Sequence, residues 1–315
     1  MLCKYRFQLA EPLHVAQSIP LWVSKFLVEF VIADGNIIAV TVGVRCIGFA
    51  SWPRIESSPR EGVKALVTLP APDREDVEDF ALTFLALLSL QGIDARWDEQ
   101  PPFRTWVAET PIEQSQLVVN NYQQTLSRQS SARNRQVPFA NLLQTALASR
   151  VATPIRGPLE FLQYANERFG SRRFIEAFQY YFFVIESLYC NGLSSPDKVV
   201  QRLLQQKVLR VKVRMALKYP RLFVKSEEEK RRYREHVQGL NVQTALTELV
   251  KTRGQLHHHN LRSPHAWSLN AQERYLPAAT FAANIAFPLL FREARSFLWD
   301  KSVLEEFEKI RALHK

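Results

Sequence analysis

Hydrophobic and polar positions alternate with a period of two from Trp22 to Ile32. Trp22, Phe26, Val28, Phe30 and Ile32 fall on one face, Lys25 and Glu29 on the other. Asp34-Gly35 follows, then Ile38, Val40, Val42 and Val44 repeat the alternation. Two such runs joined by Asp-Gly predict a β-hairpin, because a type I′ turn needs positive φ at both central residues. Val63 to Leu69 predicts another short strand. After Pro72 the period changes. Asp73 is the expected N-cap, and Glu75 and Asp76 occupy the first turn. Val77, Phe80, Ala81, Phe84, Leu85 and Leu88 recur at helical spacing, and Gly92 is the stop. Residues 1–122 therefore read as a small α+β domain, with no Gly-rich phosphate loop and no cluster of catalytic residue types.

The pattern fades over 123–150. Its first part, QQTLSRQSSARNRQVPFAN, is polar and lacks periodicity until Val137. This predicts a linker or exposed surface segment, or else a polar helix packed on one domain. Residues 151–315 are helical in pattern. Arg172 to Tyr189 places Phe174, Phe178, Tyr181, Phe182, Ile185 and Tyr189 on one broad face. Asn191-Gly192 ends that helix and Ser195-Pro196 starts a basic one reaching Leu209. Residues 226–237 open with a Ser cap and acidic first turn, then become basic, as a helix dipole favours. Leu240 to His259 forms a helix with Val242, Leu246, Leu249, Val250 and Leu256 inward. Glu273 to Leu313 is expected to be mostly helical, interrupted at Pro277, Pro288 and Asp300. The fold class is thus an α+β N-terminal domain followed by an all-α helical bundle.

At 315 residues, 46% hydrophobic and 23% charged, the chain can bury a substantial core. No stretch reaches 18 apolar residues without a charge or breaker, so no membrane span is expected. Lys4, Arg6 and Glu11 come too early for a secretory signal. Cys3, Cys46 and Cys190 are odd in number and far apart, which speaks against a disulfide framework or a CxxC site. A cytoplasmic location is the expectation. The charge is unevenly divided. Residues 1–150 carry 14 Lys/Arg against 15 Asp/Glu, whereas 151–315 carry 27 against 16. The excess points to a polyanionic partner for the second half, with plain solubilising charge as the alternative. Within 198–234 there are 13 Lys/Arg against three Asp/Glu. Lys207, Arg210, Lys212 and Arg214 there are candidate RNA-phosphate contacts, interleaved with Val208, Leu209, Val211 and Val213.

Candidate chemistry concentrates in Lys251-Thr-Arg-Gly-Gln-Leu-His-His-His-Asn260. Three readings compete. A metal site would use His258 and His265, but zinc wants three or four ligands, and adjacent helical residues point about 100° apart. No metal or cofactor is expected. A structural reading places histidines at a helix C-terminus, where the dipole favours them. A nucleolytic reading uses Arg253 to grip a phosphate bidentately and a histidine to move protons near neutral pH. His258 at i+5 lies about 140° from Arg253 on an ideal helix, whereas His257 at i+4 lies about 40° away. Either the helix loosens before Asn260, or a second chain completes the site. Glu186 falls at the edge of the apolar face of its helix. There it is either solvated or paired with a surface Lys, or it orients Arg253 or a histidine.

Arg253-x-x-x-x-His258, at the end of an amphipathic helix in a basic helical domain, resembles the RxxxxH signature of HEPN domains. The preceding helix, YYFFVIESLY with Glu186 inside it, resembles the same family, and the resemblance covers roughly residues 155–300. Members often carry Asn after the Arg, where this chain has Gly254. The resemblance implies a helical bundle that pairs as a homodimer, bringing two motifs into one cleft. Tyr181 and Phe182 are candidate contacts for such a dimer. The implied activity is metal-independent RNA cleavage, in which the 2′-hydroxyl attacks the adjacent phosphate and leaves 2′,3′-cyclic phosphate and 5′-hydroxyl ends. It also implies a setting in prokaryotic antiviral defence or as a toxin, with an antitoxin or sensor partner. Other members are catalytically inactive and bind RNA, nucleotides or protein partners.

Overall fold

The computed structural model describes residues 1–15, 20–57, 65–93, 95–98, 101–119, 121–122, 137–190, 192–219, 223–224, 226–257 and 269–313. The strands are β1 (Leu2–His14), β2 (Leu21–Val23), β3 (Phe26–Ala33), β4 (Asn36–Arg45), β5 (Arg54–Ser57), β6 (Ala65–Thr68), β7 (Phe103–Val107) and β8 (Asn121–Tyr122). The helices α1 (Arg74–Leu90), α2 (Pro111–Gln116) and α3 (Phe139–Ser149) lie among or after them. Then come α4 (Arg156–Gly170), α5 (Phe174–Tyr189), α6 (Pro196–Gln205), α7 (Lys207–Lys218), α8 (Glu227–Val237), α9 (Val242–His257), α10 (Leu276–Leu298) and α11 (Lys301–Leu313). Two compact units emerge: residues 1–153 with 298–315, and residues 154–297.

The first unit is built on an antiparallel sheet of order β2-β3-β4-β1-β7-β8, beside a separate β5-β6 hairpin. The expected hairpin is β3–β4. Asp34 and Gly35 both take positive φ, 51° and 73°, as a type I′ turn requires. A bulge between Val31 and Ile32 shifts the register, so that Ile37 is buried and Ile38 is only half-buried. β1 and β7 are additional to the expected strands. β1 lies inside the sheet between β4 and β7, and buries Cys3, Tyr5, Phe7 and Leu9 by strict alternation. Helix α1 covers this face, with Phe80 against Phe26 (5.0 Å between ring centroids) and Phe84 near Phe30 (6.0 Å). Asp73 does not cap α1 through its side chain. It adopts φ 52°, and its carboxylate accepts from Lys25 Nζ at 3.0 Å instead.

The expected linker over 123–150 is corrected for its second part, while 123–136 lie outside the described residues. Residues 139–149 form α3, with Leu142, Leu143, Ala146 and Leu147 buried, packed on α1 and α11. Four apolar positions at i, i+1, i+4 and i+5 make one stripe, which the polar run ahead of it obscures. The C-terminal segment also belongs to this unit and not to the helical one. Gln144 donates to the Leu298 carbonyl at 2.8 Å, and Arg150 pairs with Glu306 at 2.5 Å.

The second unit is a helical bundle around α5. Tyr181, Phe178, Phe182, Val184 and Ile185 are all 1% exposed or less. The expectation that Tyr181 and Phe182 are surface contacts is therefore corrected: both are core residues, and the Tyr181 hydroxyl donates to Asn166 Oδ1 on α4 at 2.8 Å. Ser226 caps α8 in a reciprocal capping box with Glu229. Pro288 does not interrupt α10, which runs through it. The backbone hydrogen bond that proline removes costs about 3 kcal/mol, and Ile285, Ala286, Leu289 and Leu290 around it are buried.

Replacing Leu147 by Ala is expected to lower stability by about 2–5 kcal/mol in chemical denaturation, as for a buried core leucine. A change near zero would return 139–149 to a surface linker.

Candidate functional site

Helices α5 and α9 bring Glu186 and Arg253 together. On α9, Leu246, Leu249, Val250 and Leu256 are buried. Next to them the Gln179 side-chain amide of α5 donates to the Leu256 carbonyl at 3.5 Å. These contacts fix the roll of α9 against α5. Arg253 Nη2 then lies 3.6 Å from Glu186 Oε1, with 28% and 22% of the two side chains exposed. The guanidinium carbon also lies 6.0 Å from the centroid of the Phe182 ring. So the partner of Glu186 is neither water alone nor a surface lysine, but the arginine of the motif.

At 3.6 Å the contact is an ion pair and too long for a hydrogen bond. The buried Arg253 Nε has no hydrogen-bond partner among the described residues. A buried donor left unsatisfied is costly. Guanidinium donors lie in one plane and match a phosphate bidentately. The arginine is therefore positioned by charge and by an aromatic face.

The surroundings limit the chemistry. Burial chiefly, and Glu186 beside it, push the Cys190 thiol up to about 11, against an opposite pull from Arg202 and Arg253. Cys190 is therefore a neutral thiol at physiological pH and a poor nucleophile. Arg202 donates from Nε to the Tyr189 carbonyl at 3.2 Å, setting a second guanidinium at the end of α5. Sequence reasoning passes over Arg202, because it is one of many cations in a basic helix. A Cβ added at Gly254 would meet nothing within 4 Å among the described residues, so no contact there requires glycine. α9 is described through His257, but the His257 side chain, His258 and His265 lie outside the described residues. Among the described residues, no group of three or more His, Cys, Asp or Glu could hold a metal ion, and no helix is long and apolar enough to cross a membrane.

The basic stretch is rearranged relative to the alternating reading. Lys207, Arg210, Lys212 and Arg214 all lie on α7, which begins after Gln206. At 100° per residue, Lys207, Arg210, Arg214 and Lys218 share one face, and Lys212 turns about 140° away from Lys207. The buried positions Leu209, Val213 and Ala216 fix this orientation. Arg210 is half-buried, and its Nε has no hydrogen-bond partner among the described residues. Comparison with protein-family models, curated proteins and solved structures found no match.

Two measurements check this geometry. A double-mutant cycle between Glu186→Ala and Arg253→Ala should give a coupling of about 0.5–1 kcal/mol, as for a half-exposed ion pair, whereas zero coupling would break the pairing. Gly254→Ala should raise stability by about 0.5–1 kcal/mol, because α9 loses an unfavourable helix residue without a clash.

Proposed function

We propose that the chain is a metal-independent endoribonuclease of the HEPN type, with Arg253 and His258 as its catalytic pair. The observation that supports this reading is the half-buried Arg253 guanidinium, held by Glu186 and Phe182, with an unpartnered Nε among the described residues. In the reaction the ribose 2′-hydroxyl attacks the adjacent phosphorus while a histidine takes its proton. The bond to the 5′-oxygen breaks, and that oxygen accepts a proton as it leaves. Arg253 stabilises the extra negative charge on the phosphoryl oxygens. Glu186 is a positioning residue for Arg253. One histidine acts as base and another as acid, which a homodimer with two motifs in one cleft supplies. Because Tyr181 and Phe182 are core residues, that dimer uses other surfaces of the helical unit. RNA is captured along the α7 face bearing Lys207, Arg210 and Arg214. The biological setting is antiviral defence or toxin action in a prokaryotic cytoplasm, with a sensor or antitoxin partner.

Labelled RNA incubated with excess chelator should yield 2′,3′-cyclic phosphate and 5′-hydroxyl ends. Arg253→Ala and His258→Ala should each reduce the rate by about 10²–10⁴ while the protein stays folded. Loss with His257→Ala and none with His258→Ala would move the role to His257. Full activity in all three would sink the nuclease reading, and tight RNA binding without cleavage would identify a silent binding module.

Capture has its own signature. Each phosphate contact on a single strand adds about −0.7 to the slope of log affinity against log salt. Replacing Lys207, Arg210 and Arg214 with Gln should flatten the slope by about two, whereas Lys212→Gln alone should leave it unchanged. An equal effect of Lys212→Gln would mean that net charge, and not this helix face, governs capture.

A further inference from the structure

At the opposite end of α9 from Arg253, a pocket of about 680 Å³ opens between α7, α8 and the turn that leads into α9. Eleven residues of helix at 1.5 Å each separate Val242 from Arg253, a distance of about 16 Å. The pocket is lined by four cations, Arg214 and Lys218 of α7 and Arg231 and Arg234 of α8, against one carboxylate, Glu235. Arg231 is already committed, to Glu228 at 2.8 Å and to Glu235 at 3.6 Å. Arg214, Lys218 and Arg234 form no ion pair among the described residues. Three cations without an ion pair among the described residues are thus gathered at one concave surface, beside the single carboxylate of Glu235, an arrangement that favours an entering anion.

The walls are held in place. Tyr233 of α8 is 1% exposed, and its hydroxyl donates to the Ala216 carbonyl of α7 at 2.8 Å, which locks the two cation-bearing helices together. Gly239 makes the connecting turn at φ 74°. Asn241 and Thr244 cap the start of α9 reciprocally, at 2.8 Å and 3.0 Å. The positive end of the α9 dipole adds to the field in the pocket. Leu217, Val237, Leu240 and Val242 also line it and give it an apolar side. A volume within the usual 300–1,000 Å³ range, cations along two walls and an apolar side fit a ligand with two unlike ends.

We propose that this pocket binds a small organic phosphate, a molecule with two or three phosphate charges attached to an apolar or aromatic group. The phosphates meet Arg214, Lys218 and Arg234, and the organic part rests on Leu217, Val237 and Leu240. The same chemistry is carried by a free nucleoside triphosphate and by the phosphorylated end of a strand. The site shares no residue with the Arg253 cleft, and of the proposed RNA-capture residues it uses only Arg214.

The test is titration calorimetry on the full chain with ATP, inorganic tripolyphosphate and adenosine, alongside short oligonucleotides with and without a 5′-phosphate. ATP should bind, tripolyphosphate should bind more weakly, and adenosine should not bind at millimolar concentration. Lys218→Gln/Arg234→Gln should weaken ATP at least tenfold and abolish the ATP-induced rise in unfolding temperature, while the ligand-free protein unfolds as before. Arg253→Ala should leave ATP affinity unchanged, whether or not Arg253 serves a nuclease. Preference for the 5′-phosphorylated oligonucleotide over ATP would retain the site and assign it to a strand end. Absence of binding by every probe, or unchanged ATP affinity in the double variant, would overturn the proposal.

Discussion

The helical unit depends on the burial of α5. Phe174, Ile175, Ala177, Phe178, Tyr181, Phe182, Val184 and Ile185 are all buried, so the helix is enclosed around most of its circumference. A helix apolar all round must be covered on every side. Its neighbours α4 and α9 supply that cover, and each is oriented by the side chains it contributes. Glu186 is the exception in the last turns of α5, a carboxylate at the border of an apolar core. It cannot be left there uncompensated at low cost, and Arg253 from α9 meets it. The packing of one helix therefore sets the position of the guanidinium on which the proposed chemistry rests.

The same helix α9 organises the charge of the unit. Arg253 lies towards its C-terminal end, and the basic pocket surrounds its start. The α7 face carries Lys207, Arg210, Arg214 and Lys218, the last two lining that pocket. Much of the positive excess of the second half of the chain thus has a spatial order that composition alone does not express. Many cations elsewhere are internally neutralised: Lys230 pairs with Glu227, and Arg172 with Glu273. The unpaired cations on α7 and α8 stand out against that background.

Much of the architecture was legible from residue patterns. The Asp34-Gly35 hairpin, the apolar stripe of α1, the Ser226 cap and the inward face of α9 all follow local rules, and the structure has them. What was not legible depends on partners remote in sequence. α3 has its own apolar stripe, but only α1 and α11 reveal that it is a core element. Asp73 stands at the N-cap as read, but nothing local discloses that Lys25 takes its carboxylate. Pro288 reads as a break because the burial that tolerates it comes from the surrounding bundle. At the site, the residue types and the possible Glu186–Arg253 contact could be read from the motif and the helical wheel. Arg202 could not, because its distinction is only that it folds back onto the Tyr189 carbonyl. The split of α7 into a basic face and a separate Lys212 required knowing that a helix starts at Lys207 and runs to Lys218.

The central claim is that Arg253 is held ready for a phosphate. It is tested most directly by NMR of the arginine side-chain Nε–H groups in 15N-labelled protein, titrated with RNA carrying 2′-O-methyl groups so that cleavage is blocked. The account predicts one Nε–H signal, absent in Arg253→Lys, that shifts markedly as RNA binds, with a weaker response in Glu186→Gln. An Arg253 signal that stays fixed while RNA saturates the protein would contradict it.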